Sequence, residues 1–157
     1  MRNNVLNAFL LILPCAVLML GQSPAAPTRM GAGDVAGHVT ALKGKMKDGV
    51  ASETLGNWGN HSFMVIRRDA DGQAEFHETQ ADIIIVRAGS ATMKIGGKVV
   101  GGKTTAPGEI RGTSIEGGEI VQLNPGDVIH VNPKTPHQAL LKKGQTVEYM
   151  TVKVDSK

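Results

Sequence analysis

Residues 75–89 read EFHETQADIIIVRAG, a stretch in which a histidine stands between carboxylates and precedes a run of apolar residues. In a β-strand, positions i and i+2 project from the same face, so Glu75 and His77 point to the same side. Asp82 follows a presumed turn and heads the next strand, whose continuous apolar run at 83–86 is typical of burial on both faces. The stretch therefore predicts two short strands that carry an imidazole and carboxylates toward one site.

A second stretch, residues 125–137, reads PGDVIHVNPKTPH and predicts a turn, a strand and a proline-rich bend. Pro133 and Pro136 restrict the backbone just before His137, and a histidine on a rigid bend can be aimed accurately into a cavity. Imidazoles and carboxylates that converge from separate strands suit a Zn, Mn or Fe site. The two stretches together predict the side chains of such a site.

Glycine punctuates the rest of the chain and accounts for 20 of the 157 residues, where roughly 7% is usual. Turn signals at intervals of roughly 8–12 residues favour an all-β sandwich or barrel. Ahead of these strands, apolar residues at helical spacing predict one amphipathic helix over about 35–47, with Asp34 as its N-cap. We expect a loop at 49–60, and Gly96-Gly97 predicts a hairpin between the strands that flank it.

The two stretches resemble the motifs of the cupin superfamily. The first family motif is Gly-x5-His-x-His-x(3,4)-Glu-x6-Gly, and His77, Asp82 and Gly89 follow its spacing. Glu75 stands where the first histidine is usual, Asp82 replaces the glutamate, and no glycine precedes Glu75 by six residues. In the second motif His137 matches the histidine, but the asparagine that often follows four residues later is absent.

The resemblance covers about residues 60–154 and implies an all-β fold, a cupin-like jelly-roll β-barrel with a short N-terminal helix and a pocket inside. It also implies a divalent metal ion (Mn, Fe, Zn or Ni) held by His77, His137, Asp82 and Glu75. Glu75 is the candidate general base if it does not bind the metal. The alternative is a degenerate cupin whose pocket binds no metal. Asp82 would then be a turn cap, and Glu75 a carboxylate either at the surface or beside the ligands without binding the metal.

The family analogy favours a secreted metal-binding cupin that acts on a small molecule as a dioxygenase or an isomerase. The alternative is a non-catalytic periplasmic cupin that binds a small ligand without metal. Four further residues are candidate substrate contacts: Arg67, Arg111, Tyr149 and Lys153. Two histidines on predicted strands, His130 and His61, are candidate pocket residues. His38 falls on the predicted helix, where we expect it to be solvated.

Residues 1–25 have the pattern of a secretory signal peptide. Arg2 gives a positive start, the run 5–20 is apolar, and residues 23–25 fit a cleavage site for signal peptidase. An uncleaved anchor is one alternative, but the apolar run is short for a membrane span. A lipoprotein modified at Cys15 is the other. We therefore expect a periplasmic or secreted protein that loses its one cysteine on cleavage.

After cleavage, we expect a flexible leader at 26–33 and a single cupin domain at 34–157. The formal charge of the whole chain is +3 and it has five aromatic residues, so neither a basic groove nor an aromatic platform is in evidence. The expected partner is a small-molecule ligand or substrate, with no nucleic acid and, after signal cleavage, no membrane. The apolar stripe of the helix can pack on its own barrel or across a homodimer, and the sequence does not distinguish the two.

Overall fold

The computed structural model describes residues 28–156. The predicted signal peptide at 1–25 and the start of the predicted leader lie outside the described residues. Within the described part, no helix is both long and apolar enough to cross a membrane. In residues 28–156, one α-helix precedes thirteen strands, which pair in three antiparallel sheets.

The helix, α1, spans Ala32–Leu42 and continues as a 3-10 turn at Lys43–Lys45. It begins inside the segment predicted as a leader, with Gly31 as its N-cap. The prediction that Asp34 is the N-cap was wrong, because Asp34 lies at the third helical position. From there its carboxylate accepts a 2.8 Å hydrogen bond from the Gly31 N–H. A carboxylate in the first turn thus satisfies a free backbone N–H at the helix start, as an N-cap side chain does.

Strands make up most of the remaining chain. In chain order they are β1 (Val50–Asn57), β2 (His61–Arg68), β3 (Ala74–His77), β4 (Gln80–Gly89), β5 (Ala91–Ile95), β6 (Lys98–Val100), β7 (Lys103–Ala106), β8 (Glu109–Gly112), β9 (Ser114–Glu116), β10 (Glu119–Leu123), β11 (Val128–Val131), β12 (His137–Leu140) and β13 (Val147–Asp155). One sheet has the order β1-β2-β13-β4-β11, the second has the order β10-β5-β12-β3-β8-β7, and β6 pairs with β9 alone. Neighbouring strands are mostly distant in sequence, as in a jelly roll, and the all-β prediction is confirmed.

Two local predictions were wrong. The segment 49–60, predicted as a loop, contains β1, which pairs along its length with β2. Gly96-Gly97 does not form a hairpin, because β5 pairs with β10 and β12 while β6 pairs with β9. A Cβ on Gly97 would lie 2.3 Å from the Glu116 carbonyl oxygen, so the glycine is needed where the chain passes close to the β9–β10 connection. The glycine signal was therefore real, but it marks a close backbone approach rather than a tight hairpin.

Two apolar clusters hold the sheets and the helix together. The main core draws on both large sheets and includes Ile84, Met93, Leu123 and Val147. A second cluster lies between α1 and the first sheet, where the helical residues Val35, Val39 and Leu42 pack on Ala51 and Val65. The apolar stripe of α1 is therefore covered by its own chain. Burial of both faces of the first sheet explains the apolar character of its strands.

Strand β4 contains a bulge opposite β13, and this bulge determines which of its side chains face inward. Gly89 and Ala88 pair with Val147 and Glu148, and Val86 pairs with Tyr149, so Arg87 has no partner on β13. Beyond the bulge, three pairs face the space between the sheets: Val86 with Tyr149, Ile84 with Thr151, and Asp82 with Lys153. Gly89 has φ of 71°, and a Cβ there would lie 1.9 Å from the Thr146 carbonyl oxygen, so a side chain does not fit.

Candidate metal centre

The structure brings together the four side chains that the sequence singled out. Glu75 and His77 come from β3, Asp82 from β4 in the other large sheet, and His137 from the start of β12. His137 pairs directly with Glu75 in the sheet register. One potential ligand atom from each residue lies within 4.8 Å of the corresponding atoms of the other three. The cluster is thus a convergence of both sheets at one interior point.

Both histidines are oriented by partners on their outer ring nitrogens. The Nδ1 of His77 lies 2.5 Å from a carboxylate oxygen of Glu109 on β8, and the Nδ1 of His137 lies 3.1 Å from the carbonyl oxygen of Thr135. These acceptors fix a proton on each Nδ1, which leaves both Nε2 atoms directed at the cluster. The Nε2 atoms of His77 and His137 lie 3.5 and 3.4 Å from the same oxygen of Asp82. In their neutral forms, histidines arranged in this way present two lone pairs to one point.

Glu75 is the carboxylate of the cluster that two arginines contact. Its Oε2 lies 3.6 Å from the Nε2 of His77 and 3.8 Å from that of His137. Arg111 forms an ion pair with the same oxygen, and Arg68 lies 3.4 Å from the other. Burial alone would raise the pKa of Glu75, but the contact with His77 and the charge of Arg111 lower the pKa to about 2. A carboxylate with so low a pKa is a weak base, which argues against the general-base role considered for Glu75.

Lys153 enters the centre from β13. Its ammonium nitrogen donates to both oxygens of Asp82, at 2.9 and 3.0 Å, and lies 3.0 Å from the Nε2 of His77. The Lys153 side chain is 17% exposed and the Asp82 side chain 5%, so this ion pair is largely removed from solvent. The ammonium therefore lies among the atoms that would ligate a metal.

The cluster also shifts the pKa values of His77 and Asp82 in opposite directions. Burial and the charge of Lys153 lower the pKa of His77, but the carboxylates of Asp82 and Glu75 outweigh them and raise it to about 9. Burial raises the pKa of Asp82, whereas the contacts with His137, His77 and Lys153 hold it well below its usual range. Metal binding would need His77 in its neutral form, so it would release a proton at neutral pH.

The donor set fits a divalent metal in its chemistry. Two imidazole nitrogens and two carboxylate oxygens within reach of one point suit Mn, Fe, Zn or Ni. The outward partners of both histidines are of the kind that metal-binding histidines use in proteins. The position of Lys153 opposes a metal, since an ammonium and a divalent ion would compete for the same oxygens.

A cavity of about 620 Å³ opens onto the centre. Its walls combine apolar residues such as Met64, Ile84 and Met93 with polar groups of the cluster. A volume of this size falls within the range of small-molecule sites, roughly 300–1,000 Å³. Such a cavity can hold a small molecule against the candidate ligands.

The other candidate contacts divide between the cavity and the surface. Arg111, Tyr149 and Lys153 line the cavity. Arg67 does not, because it points away from the cavity and forms an ion pair with Glu148. The next residue, Arg68, lines the cavity instead and donates a 2.8 Å hydrogen bond to the Tyr149 hydroxyl. Adjacent strand residues alternate between faces, so the choice of arginine depended on which face of β2 is inside.

The remaining histidines lie away from the cluster. His130 is exposed on β11, the edge strand of its sheet. The His61 ring stacks on Trp58, and its Nδ1 lies 2.9 Å from the side-chain oxygen of Asn60. His38 lies 3.0 Å from a Glu53 carboxylate oxygen and its side chain is 43% exposed. None of the three lines the cavity.

Sequence reasoning missed Glu109, the partner of His77. Glu109 lies 32 residues after His77 and reaches it because β8 pairs with β3, which aligns the two residues directly. The sequence around Glu109 predicts no strand, so the residue carries no local sign of this pairing. Only the register of β3 against β8 shows that Glu109 belongs to the site.

The sequence matches no known protein family and no curated protein. Its structure, however, aligns with solved structures. A cupin superfamily protein from Desulfitobacterium hafniense aligns at a TM-score of 0.50 over 71% of this chain and 82% of its own, with 11% identity. The chain has the cupin fold.

Two other structures share this cupin fold. A putative mannose-6-phosphate isomerase from Ralstonia eutropha aligns at a TM-score of 0.50 over 70% of this chain and 88% of its own, with 16% identity. The Streptomyces protein PAC13, solved with uridine, aligns at a TM-score of 0.51 over 71% and 74% of the two chains, with 13% identity. In the cupin fold of this chain, the residues that match the two sequence motifs are the ones that converge: His77, Asp82 and His137.

Proposed function

We propose that this chain is a divalent-metal-binding cupin that acts on a small molecule held in the cavity beside the metal. The observation that carries the proposal is the convergence of His77, His137, Asp82 and Glu75 at one buried point, with both histidines turned inward by outer partners. Small-molecule activity is in keeping with structural neighbours that include a putative sugar-phosphate isomerase and a protein solved with uridine. We further propose that the protein is exported, on the pattern of residues 1–25.

We expect the four side chains to differ in how strongly they bind the metal. His77, His137 and Asp82 form a two-histidine, one-carboxylate set, which in proteins is associated with iron and leaves further coordination positions open. Glu75 is the fourth donor and the weakest, because Arg111 and Arg68 already neutralise it. A bound metal would supply Lewis acidity or, as iron, the capacity to bind dioxygen.

The protein residues around the cavity would bind and orient the substrate. Arg111 and Lys153 supply positive charge, and the buried hydroxyl of Tyr149 accepts from Arg68 and so has its own proton to donate. Burial raises the pKa of Tyr149, so this hydroxyl stays protonated. An isomerase or a dioxygenase acting on a small polar molecule is the reaction class that we propose on this basis.

The first test is the metal content of residues 26–157, exported to the periplasm and purified without a histidine tag. We expect about one Mn, Fe, Zn or Ni per chain by mass spectrometry. His77→Ala and His137→Ala should each abolish binding, since each removes one of only two imidazole ligands. His130→Ala is the matched control, because His130 lies exposed on β11 and should keep full metal content.

Circular dichroism of each variant shows whether the fold is retained. Unchanged metal content in folded His77→Ala and His137→Ala proteins would overturn the ligand assignments. A wild-type protein that carries no metal and cannot be reloaded would overturn metal binding altogether.

A second candidate function is non-catalytic binding of a small ligand without metal. The ion pairs favour it, because three carboxylates of the centre (Glu75, Asp82 and Glu109) face three cations (Arg68, Arg111 and Lys153). Each carboxylate of the centre therefore already has a cation of the chain beside it. A metal-free protein whose melting temperature rises with a small polar ligand, without turnover of that ligand, would support this candidate.

A further inference from the structure

Lys153 is the only lysine among the charged residues that contact the four candidate ligands within the described chain. It belongs to the inward-facing series of β13, in which the preceding members Val147, Tyr149 and Thr151 are buried. The register of β13 against β4 places it directly opposite Asp82. Its entry into the centre is therefore fixed by the sheet itself rather than by the choice of one side-chain conformer.

The ammonium of Lys153 has three partner atoms within hydrogen-bond distance, two on Asp82 and one on His77. An ammonium has three N–H groups, and the Lys153 nitrogen lies 2.9 and 3.0 Å from the Asp82 oxygens and 3.0 Å from the His77 Nε2. The two Asp82 oxygens accept from the ammonium whatever the charge of His77, and the Nε2 of His77 accepts the third N–H in the neutral form that metal binding needs. Two of the proposed metal ligands are thus already occupied by one cation.

The other two cations near the centre are held differently. Arg111 bridges Glu75 and Glu109, and Arg68 is shared between Glu75 and Tyr149. Both arginines contact Glu75, and neither contacts Asp82. Lys153 is the cation that a metal would meet at Asp82, and a flexible four-carbon stem allows a lysine to move away.

We propose that the ammonium of Lys153 is the resident cation of this centre, which holds Asp82 and His77 in place without metal and withdraws when a divalent metal binds. This inference rests on the proposed metal site. It adds that metal affinity is set by competition with a residue of the chain. The centre is then kept preformed, because the carboxylate of Asp82 is countered in both states.

The test is the affinity of the chain for Zn²⁺ and Mn²⁺, measured by calorimetry or by competition with a chelator, for wild type and for Lys153→Met. Methionine keeps an unbranched side chain of similar length but removes the charge. We expect Lys153→Met to bind at least about tenfold more tightly, because an ammonium in contact with the ligand atoms no longer competes. Metal-free Lys153→Met should also melt at a lower temperature than metal-free wild type, since Asp82 is left buried without its cation.

Lys98→Met is the matched control. Lys98 is exposed on β6, so this variant removes the same charge from the protein without touching the centre. Its metal affinity and its melting temperature should remain those of wild type. Lys153→Gln is the second variant if Lys153→Met fails to fold, and it should show the same tighter binding.

The outcomes separate this inference from the proposed function. Equal affinity of wild type and the Lys153 variants, or weaker binding by the variants, would overturn the resident-cation proposal and leave the metal site standing. Binding by the variants alone would overturn the withdrawal of Lys153 and, with it, metal binding by the wild type, because it would show that the lysine excludes the metal. Failure of both wild type and the Lys153 variants to bind any divalent metal would overturn the proposed function and, with it, this inference.

Discussion

The space between the two large sheets contains two buried regions of opposite chemistry. In the apolar core, Leu123 and Val147 are at most 3% exposed. In the ionic centre, His77, Asp82 and His137 are only 2–4% exposed. Burial of apolar area stabilises a fold outright, whereas buried ion pairs roughly offset the cost of removing charges from water. The two regions are equally buried but differ in their effect: the apolar core stabilises the barrel, whereas the ionic centre is best explained as a binding site for a metal or a small molecule.

The largest expected effect is on the core side of this comparison. Leu123→Ala should lower the free energy of unfolding by about 2–5 kcal/mol, because it removes packed methyl groups and leaves a cavity. Urea denaturation of the metal-free protein measures this change. Ile120 lies on the same strand but is 62% exposed, so Ile120→Ala should change stability by no more than about 0.5 kcal/mol.

The comparison also requires that this core loss leave metal affinity unchanged in the folded Leu123→Ala protein. Weaker metal binding that tracks the loss of stability would show that the two regions are not separable.

The second effect lies on the ionic side. Glu109→Gln should weaken metal binding by about 10–100-fold, because the carboxylate orients His77 through Nδ1 and makes its Nε2 a better ligand. Calorimetric titration with Zn²⁺ measures the change. Glu148→Gln is the matched control, since Glu148 pairs with Arg67 outside the cavity and should leave affinity unchanged. Equal affinities in the two variants would remove Glu109 from the site.

The third prediction concerns the pH dependence of the metal-free protein. The pKa of His77 is raised from 6.5 to about 9, so the folded state binds this proton more tightly than the unfolded chain. Its contribution to stability is therefore full below about pH 6.5 and is lost as the pH rises through about 9. The melting temperature should fall between about pH 7 and pH 9.5 in the wild type. His77→Gln should reduce this fall, and Leu123→Ala should retain it.

A fall of the same size in His77→Gln would assign the pH dependence to other groups. Protonation of His77 would then not be what distinguishes the stability of the ionic centre from that of the apolar core.

The smallest effect lies outside both regions. Asp34→Ala should lower the free energy of unfolding by about 0.5–1 kcal/mol, because it removes the hydrogen bond to the Gly31 N–H at the start of α1. Thermal unfolding monitored by circular dichroism measures the change. Asp34→Asn keeps an acceptor and should recover most of the loss. A cost as large as that of Leu123→Ala would mean that α1 belongs to the main core.

The sequence was sufficient for the fold class because its strands carry strong local signals. Period-two alternation, the apolar run at 83–86 and the two motif stretches each indicate β-structure without knowledge of partners. The strand at 50–57 was missed because glycine and asparagine dominate its end, and its pairing with β2 overrides that composition. The false hairpin at Gly96-Gly97 has the same origin, since local turn chemistry does not say which strand will be the partner.

The sequence predicted which four residues form the centre, but it did not predict which charged residues contact them. Glu75, His77, Asp82 and His137 could be chosen from their spacing and from a family resemblance. The choice of Arg68 over Arg67, the contact between Glu109 and His77, and the entry of Lys153 all depend on strand register. Register is set by pairing between distant segments, so short-range patterns do not contain it.

The bulge at Arg87 has a consequence for how this chain can change in evolution. The residues on its two sides face the interior in opposite phase, because one residue of β4 is skipped by β13. Substitution of Arg87 preserves that phase, whatever side chain is introduced. Deletion of Arg87 also leaves the inward-facing side chains in place, because Val86, Ala88 and Gly89 then lie opposite Tyr149, Glu148 and Val147 with no residue skipped. Deletion of a paired residue between Asp82 and Val86 does not, because it turns the side chains on one side of the deletion to the opposite face. Among natural variants of this sequence, we therefore expect replacements or loss of the residue at position 87, and almost no length changes at 82–86.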